Sequence, residues 1–174
     1  LHQLYPQAHA KMNCTVGPAL FVEVTGADGF SAAAVKEKIS QLVEQDAPFL
    51  RRRVTLENAI SGYQRSGDDD KARLLSWRPW DYFDEYAYGD FADYYYGEMA
   101  PSTGFLRVWD IIPARNGFIF IFPDRNDPDR VSDYHEMTQF MEVYDEGKRW
   151  CELMRCETVA DLNELVDSGK LREL

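Results

Sequence analysis

Two alternating runs separated by Gly17-Pro18 constrain the fold of this chain more than any other feature. Lys11 to Val16 alternates, with Met12, Cys14 and Val16 on one side of an extended chain and Lys11, Asn13 and Thr15 on the other. Leu20, Val22 and Val24 resume the alternation after the break, so the segment reads as two strands joined by a turn. Gly26 to Gly29 is a loop. The period then changes. Ser31 can cap a helix running to about Gln45, with an apolar stripe of Val35, Ile39, Leu42 and Val43. Phe30 before the cap and Val35 in the first turn have the spacing of a hydrophobic staple.

The same punctuation continues. Pro48 opens a short strand through Val54, and Thr55 caps a second helix with Ala59, Ile60 and Tyr63 inward and Gly67 as its stop. Asp68 to Asp70 place acid at the start of a third short helix, where the helix dipole favours it. Trp77 to Tyr96 is rich in aromatics interleaved with acids. Phe105–Ile112 and Gly117–Phe122 read as strands, with an acidic, proline-containing loop from Pro123 to Asp133. Helical spacing of Tyr134, Met137, Met141, Tyr144 and Cys151 predicts the longest helix, Asp133 to Met154. Thr158 with Asp161 forms a capping-box pattern for a last helix with Leu162, Leu165 and Val166 inward, ending at Gly169. Hairpin-like pairs beside interspersed helices point to an α+β fold with an antiparallel or mixed sheet and packed helices, rather than a doubly wound parallel sheet.

With 174 residues, the chain is expected to form a single domain. Hydrophobic residues make up 45% and aromatics 14%, enough to build a core. The net charge of −11 repels phosphates, which argues against strong nucleic-acid binding by the isolated chain; the only basic cluster is Arg51-Arg52-Arg53. Three cysteines at irregular spacing fit a reducing, cytoplasmic setting better than a disulfide framework. No run is long and apolar enough for a membrane helix, and no signal peptide is visible. The start at Leu1 reads as a beginning inside a longer polypeptide.

Candidate chemistry is sparse. His2, His9 and Cys14 match no common zinc spacing, so no metal is expected, and no base is indicated beside Cys14. Cys151 and Cys156 read as small hydrophobes near a helix end, and His135 as a solvated helix residue. The aromatic stretch Trp80–Tyr96 has two readings. It is an aromatic strand on the core with its acids in water, or a platform whose rings stack on a base while its acids bind ribose hydroxyls. Pro101-Ser102-Thr103-Gly104 is a turn that can hold a small anion or a carbonyl, or can close on its own hydroxyl bonds. Arg51 and Arg53 share one side of their strand and read as solvated.

Three segments together carry a family signal: Gln3-Leu4-Tyr5-Pro6 with the hairpin to Val24; Gln45-Asp46-Ala47-Pro48, Arg51 to Thr55 and Gly67-Asp68-Asp69-Asp70-Lys71; and Asp93 through Tyr96, Gly97, Glu98, Met99, Ala100 and Pro101 to Gly104. In this order they resemble the second N-terminal, editing-type domain of threonyl-tRNA synthetase, related to alanyl-tRNA synthetase editing domains. They are similar, more closely, to the version that precedes the kinase domain of uridine-kinase-like proteins. There the third segment reads Tyr-Gly-Pro-x-x-Pro-Ser-Thr-Gly; here Glu98 stands at the first of those prolines. The resemblance covers roughly residues 3–168.

The resemblance implies an editing-like fold over the whole chain, with the first helix of that domain upstream of Leu1 and residues 133–174 as helices leading toward a kinase domain. The synthetase domain edits mischarged tRNA with a His-x-x-x-His pair and a Cys-x-x-x-His pair. The second pair falls on Tyr95 and Met99, and the first lies upstream of Leu1. No Gly-x-x-x-x-Gly-Lys-Ser/Thr loop occurs, so ATP and magnesium are implied for the parent kinase only, with no cofactor in this chain. The expected role is a non-catalytic accessory domain whose partners are its own downstream kinase domain and a nucleoside, nucleotide or RNA ligand, with no membrane partner. The alternatives are a degenerate aminoacyl-tRNA editing hydrolase and a structural or dimerising module. No catalytic residue is expected. The candidate ligand-binding residues are Asp93, Tyr95, Tyr96, Pro101, Ser102, Thr103 and Gly104, in a cleft bordered by the hairpin of residues 11–24.

Overall fold

A computed structural model describes residues 1–95 and 97–173, except the side chain of Glu173. The chain divides into two compact units. The first comprises Leu1–Pro48 and Ala100–Met137, the second Phe49–Met99 and Thr138–Leu174. The fold is α+β, with antiparallel sheets and packed helices.

In the first unit, β1 (His9–Val16), β2 (Ala19–Thr25), β6 (Asp110–Ala114) and β7 (Gly117–Ile121) form an antiparallel sheet in the order β1-β2-β7-β6. Helix α1 (Ala32–Gln45) starts where Ser31 Oγ accepts the Ala34 amide at 3.2 Å. Val35 packs with Val22, Val24, Ile111 and Phe118 in the core, and Phe30 and Ile39 pack against the same cluster. The Phe30 ring lies 6.2 Å from Phe118, nearly parallel to it, so the staple residue reaches the sheet itself. Tyr5 packs here too, and its hydroxyl accepts the Ser31 amide at 3.0 Å. Lys36 pairs with Asp110 and holds that carboxyl below its ordinary range.

Two sequence expectations change here. The β1–β2 register slips between Met12 and Cys14. Asn13 is the extra residue of a β-bulge, so Met12 faces away from the side shared by Cys14 and Val16. Met12 is exposed and Val16 is buried. Alternation read off sequence cannot register an inserted residue. The strand expected from Phe105 begins only at Asp110, because Thr103–Phe105 winds into a 3₁₀ turn.

In the second unit, β3 (Leu50–Thr55), β4 (Tyr82–Tyr88) and β5 (Phe91–Tyr94) make an antiparallel sheet in that order. Helices α2 (Leu56–Ser66) and α3 (Asp69–Ser76) supply Ala59, Tyr63, Ala72 and Leu75, which pack with Phe83. Thr55 Oγ1 accepts the Asn58 amide at 3.3 Å, and Gly67 ends α2 at φ 79°. Helix α4 (Thr138–Met154) begins five residues later than the periodicity suggests, with Tyr134 and Met137 ahead of it. The capping box of α5 (Val159–Asp167) forms as expected, yet Leu162 and Val166 are exposed while Ala160 is buried. Arg73 of α3 reaches Asp161 at 2.7 Å and Glu164 at 2.9 Å, so the acidic side of α5 faces α3.

Gly117 sits where β7 meets β2. A Cβ built there lies 2.0 Å from the Val22 carbonyl oxygen, a backbone atom that cannot rotate away. Gly117→Ala is expected to cost about 1–3 kcal/mol, the range for forcing atoms into a packed interior, measured as a lowered urea midpoint. A second prediction concerns pH. Asp161, bonded first by Arg73 and then by Thr158, is held at about 2, below its ordinary 3.8. A depressed carboxylate stabilises the fold above its unfolded value and loses that contribution as pH falls through its folded value. Stability should therefore drop between about pH 4 and 2, and the drop should be smaller in Asp161→Asn when unfolding is followed against pH.

Candidate functional site

The turn expected to bind a ligand is held against the end of α1. The helix stops at Asp46, which takes the left-handed conformation at φ 45° and donates its amide to Val43 O. Short polar side chains tolerate that conformation. The Asp46 carboxylate then accepts the Ser102 hydroxyl and the Gly104 amide, the latter at 3.1 Å. Thr103 Oγ1 donates to Leu42 O, one of the carbonyls a helix leaves unpaired at its C-terminus, and accepts the Ala47 amide at 3.0 Å. The Thr103 amide donates to Ala47 O at 3.0 Å, and Pro48 and Ser102 form a β-bridge. A Cβ at position 104 would lie 2.2 Å from Asp46 Oδ1, so a side chain there displaces the carboxylate. The hydroxyls and the amide that looked available to a ligand are engaged with residues 42–48; Pro101 is exposed.

Asp93 and Tyr95 belong to the second unit, while Pro101–Gly104 belong to the first. Asp93, on β5 opposite Tyr86, is the centre of a polar cluster. Its Oδ1 accepts the Tyr63 hydroxyl at 3.1 Å and the Tyr94 amide at 2.9 Å, and its Oδ2 accepts Lys71 Nζ at 2.8 Å. The Lys71 ammonium also lies 5.3 Å from the centre of the Tyr63 ring. Burial, and then the negative charge of Asp93, push the Tyr63 phenol far above its ordinary value, so it stays protonated and donates. The sequence marked Asp93 but not Tyr63 or Lys71 as its companions. The available signal was Lys71 at the end of the Gly-x-Asp-Asp-Lys run. Tyr95 is exposed; Tyr96 lies outside the described residues.

Tyr86, buried on β4, donates its hydroxyl to Gly97 O at 3.2 Å and accepts the Met99 amide at 3.4 Å, so it fixes the segment carrying Met99. The arginines of β3 are engaged. Arg51 and Arg53 share Asp84, Arg51 by two bonds at 3.1 and 2.6 Å and Arg53 by one at 3.1 Å, while Arg52 pairs with the buried Glu85. The two guanidiniums hold the Asp84 carboxyl below its ordinary range. Among the described residues, no group of three or more His, Cys, Asp or Glu side chains is placed to hold a metal ion.

No family model matches the chain. It is distantly similar to threonine–tRNA ligases. Identity is 26% over 119 residues with the protein of Teredinibacter turnerae, 29% over 119 with that of Nitrosococcus oceani and 24% over 120 with that of Burkholderia mallei. Each match takes in 66–67% of this chain but only 18–19% of the ligase, so the chain matches about a fifth of the length of these relatives. The chain is thus similar, at a distance, to part of these ligases, and its fold is α+β.

If Thr103 closes α1, Thr103→Val, which keeps the shape and removes the hydroxyl, orphans the Ala47 amide and the Leu42 carbonyl. The expected loss is about 1–3 kcal/mol, the cost of an unmade bond at a part-buried group, read by chemical unfolding. Amide exchange should quicken at residues 45–47 before it quickens in the β2–β7 ladder.

Proposed function

We propose that this chain is a non-catalytic accessory domain, derived from the editing region of threonyl-tRNA synthetase and carried by a uridine-kinase-like phosphotransferase, where it positions a ligand or a neighbouring domain. The observation that carries this reading is the use to which the polar groups are put. Ser102, Thr103 and Asp46 tie the end of α1 to the returning chain, and Asp93 is tied to Tyr63 and Lys71. Groups so engaged support geometry rather than turnover. The Tyr95 phenol and the Met99 thioether, at the positions that the resemblance gives to the editing Cys-x-x-x-His pair, stand in place of its thiolate and imidazole.

The kinase assignment is supported by the Gly67-Asp68-Asp69-Asp70-Lys71 run and by Pro101-Ser102-Thr103-Gly104, both features of the version that precedes kinase domains. ATP, magnesium and uridine belong in this reading to that downstream domain. The ligand-binding role proposed for this chain falls in the second unit on Asp93, Tyr95 and Tyr96, with exposed Tyr95 available to stack on a base. In the first unit it falls on Pro101, Ser102, Thr103 and Gly104. Affinity is expected near millimolar, about 4 kcal/mol, which one stacked ring and a few hydrogen bonds supply.

A nuclear magnetic resonance titration with uridine, nucleotides, threonine and short RNA tests the ligand role. Shifts gathered at residues 93–104 support it. Saturable binding mapped to the Arg51–Arg53 strand, or no binding at all, overturns it. The purified chain should neither phosphorylate uridine nor deacylate mischarged tRNA. Turnover of either that disappears on mutating a residue of this chain would refute the non-catalytic reading.

A further inference from the structure

Helix α4 ends in a pattern that brings two cysteines together. Arg155, the residue after Met154, takes the left-handed conformation at φ 53°. Its amide donates to Glu152 O at 3.1 Å, and the next amide, that of Cys156, donates to Cys151 O at 3.0 Å. These are the two bonds of a Schellman cap, in which the side chains at either end of the longer bond commonly touch. At this cap both ends are cysteines. Standard bond lengths on either side of the 3.0 Å hydrogen bond keep the two α-carbons within about 7 Å, which is the reach of a disulfide. Both are free thiols and both are half-buried, whereas a cysteine used only as a small hydrophobe is among the most buried of residues. Cys14, the other cysteine of the chain, belongs to the first unit.

We propose that Cys151 and Cys156 form a dithiol site that a small disulfide, of the class of oxidised glutathione, converts to an intramolecular bond clasping the end of α4. One thiol gives up its proton and its sulfur attacks the incoming disulfide. That S–S bond breaks, one small thiol leaves with the proton, and a mixed disulfide stays on the protein. The second protein thiol then gives up its proton and attacks the protein sulfur of the mixed disulfide, and the second small thiol leaves with that proton. The dithiol has lost two electrons and two protons, and the small disulfide has gained both. The closed ring spans only residues 151–156, whose backbone is already folded back on itself by the cap. What the bond changes is the link between helices. Arg155, Cys156 and Glu157 alone separate α4 from the Thr158 cap of α5, and the Glu157 and Thr158 amides both donate to Asp161. With the sulfurs joined, α4 and α5 meet through a fixed turn, which a reducing thiol frees again.

The test places the intact chain in glutathione buffers of rising oxidised fraction and then alkylates the thiols that remain. Trypsin cuts after Arg149, Arg155 and Lys170, so without reductant the bond joins peptide 150–155 to peptide 156–170. Mass spectrometry should find that linked pair, and dithiothreitol should abolish it. Cys151→Ser and Cys156→Ser should each lose it and stop at glutathione on the remaining thiol, while Cys14→Ser keeps it; circular dichroism checks that each variant is folded. Half-closure should need about tenfold less oxidised glutathione in the folded chain than in concentrated urea, because the cap presets the contact. Arg155→Ile, whose branched side chain disfavours the left-handed conformation, should move that midpoint toward the urea value, and Arg155→Gly should not. Amide exchange at residues 155–157 should slow on closure. Thiols that stay open to alkylation, a chain that stops at mixed disulfides, linkage through Cys14, a midpoint unchanged by urea, or exchange unaltered by closure overturns the proposal.

Discussion

The first unit depends on one junction. Its chain leaves at Pro48 and returns at Ala100, and residues 49–99 fold elsewhere in between. Both crossing points are clasped to the end of α1. Pro48 bridges Ser102, the Ala47 amide and carbonyl bond Thr103, and Asp46 gathers Ser102 and Gly104. The clasp satisfies helix-end groups that would otherwise need water. It also accounts for the residue types of the motif. Ser102 and Thr103 supply hydroxyls of the right reach, Gly104 leaves room for the carboxylate, and Asp46 accepts the left-handed conformation that ends the helix. The run read from sequence as a candidate ligand turn also ties the returning chain to the end of α1.

Electrostatics in the second unit follow the same economy. The three consecutive arginines of β3 are the most basic feature of an acidic chain, yet each faces a carboxylate on β4 directly or diagonally across the ladder. Cross-strand pairs of opposite charge stabilise the ladder and offset the charge of the patch. The Asp93 cluster differs, because one carboxylate on an edge strand ties β5 to both α2 and α3. Its Lys71 and Asp93 are each about one-third exposed, at 35% and 36%.

What the sequence revealed was local chemistry. The caps at Ser31, Thr55 and Thr158, the glycine stop at Gly67 and the staple at Phe30 depend on residues three to five apart, and the structure contains them where the spacing puts them. The hairpin was legible because Gly17-Pro18 sits between two period-two runs. The bulge at Asn13 was not, since one inserted residue leaves composition and approximate alternation untouched while turning Met12 to the other face. Nor could spacing tell that Thr103 reaches back to Leu42, or that Lys71 and Tyr63 meet on Asp93, because sequence distance carries no information about which loops adjoin. The apolar stripes of α4 and α5 were readable as stripes. Which of them is covered depends on neighbours that spacing does not name, such as the α3 residue Arg73 that meets Asp161 of α5.

The similarity to threonine–tRNA ligases and the chemistry of the chain carry different kinds of information. Covering two thirds of this chain at 24–29% identity, the match speaks to how the backbone is organised. Backbone organisation persists when a site is replaced, because core packing and helix ends are sensitive to volume and hydrogen bonding at many positions, whereas a reaction depends on a few side chains. Tyr95, two residues after Asp93, is exposed, and the segment carrying Met99 is pinned by the Tyr86 hydroxyl. The Tyr86 hydroxyl therefore holds the backbone that carries Met99, while the Tyr95 ring stands in solvent. In the proposed reading, a scaffold that keeps its geometry and changes its functional groups is suited to recognition: stacking and hydrogen bonding need placement, and neither needs a thiolate or an imidazole.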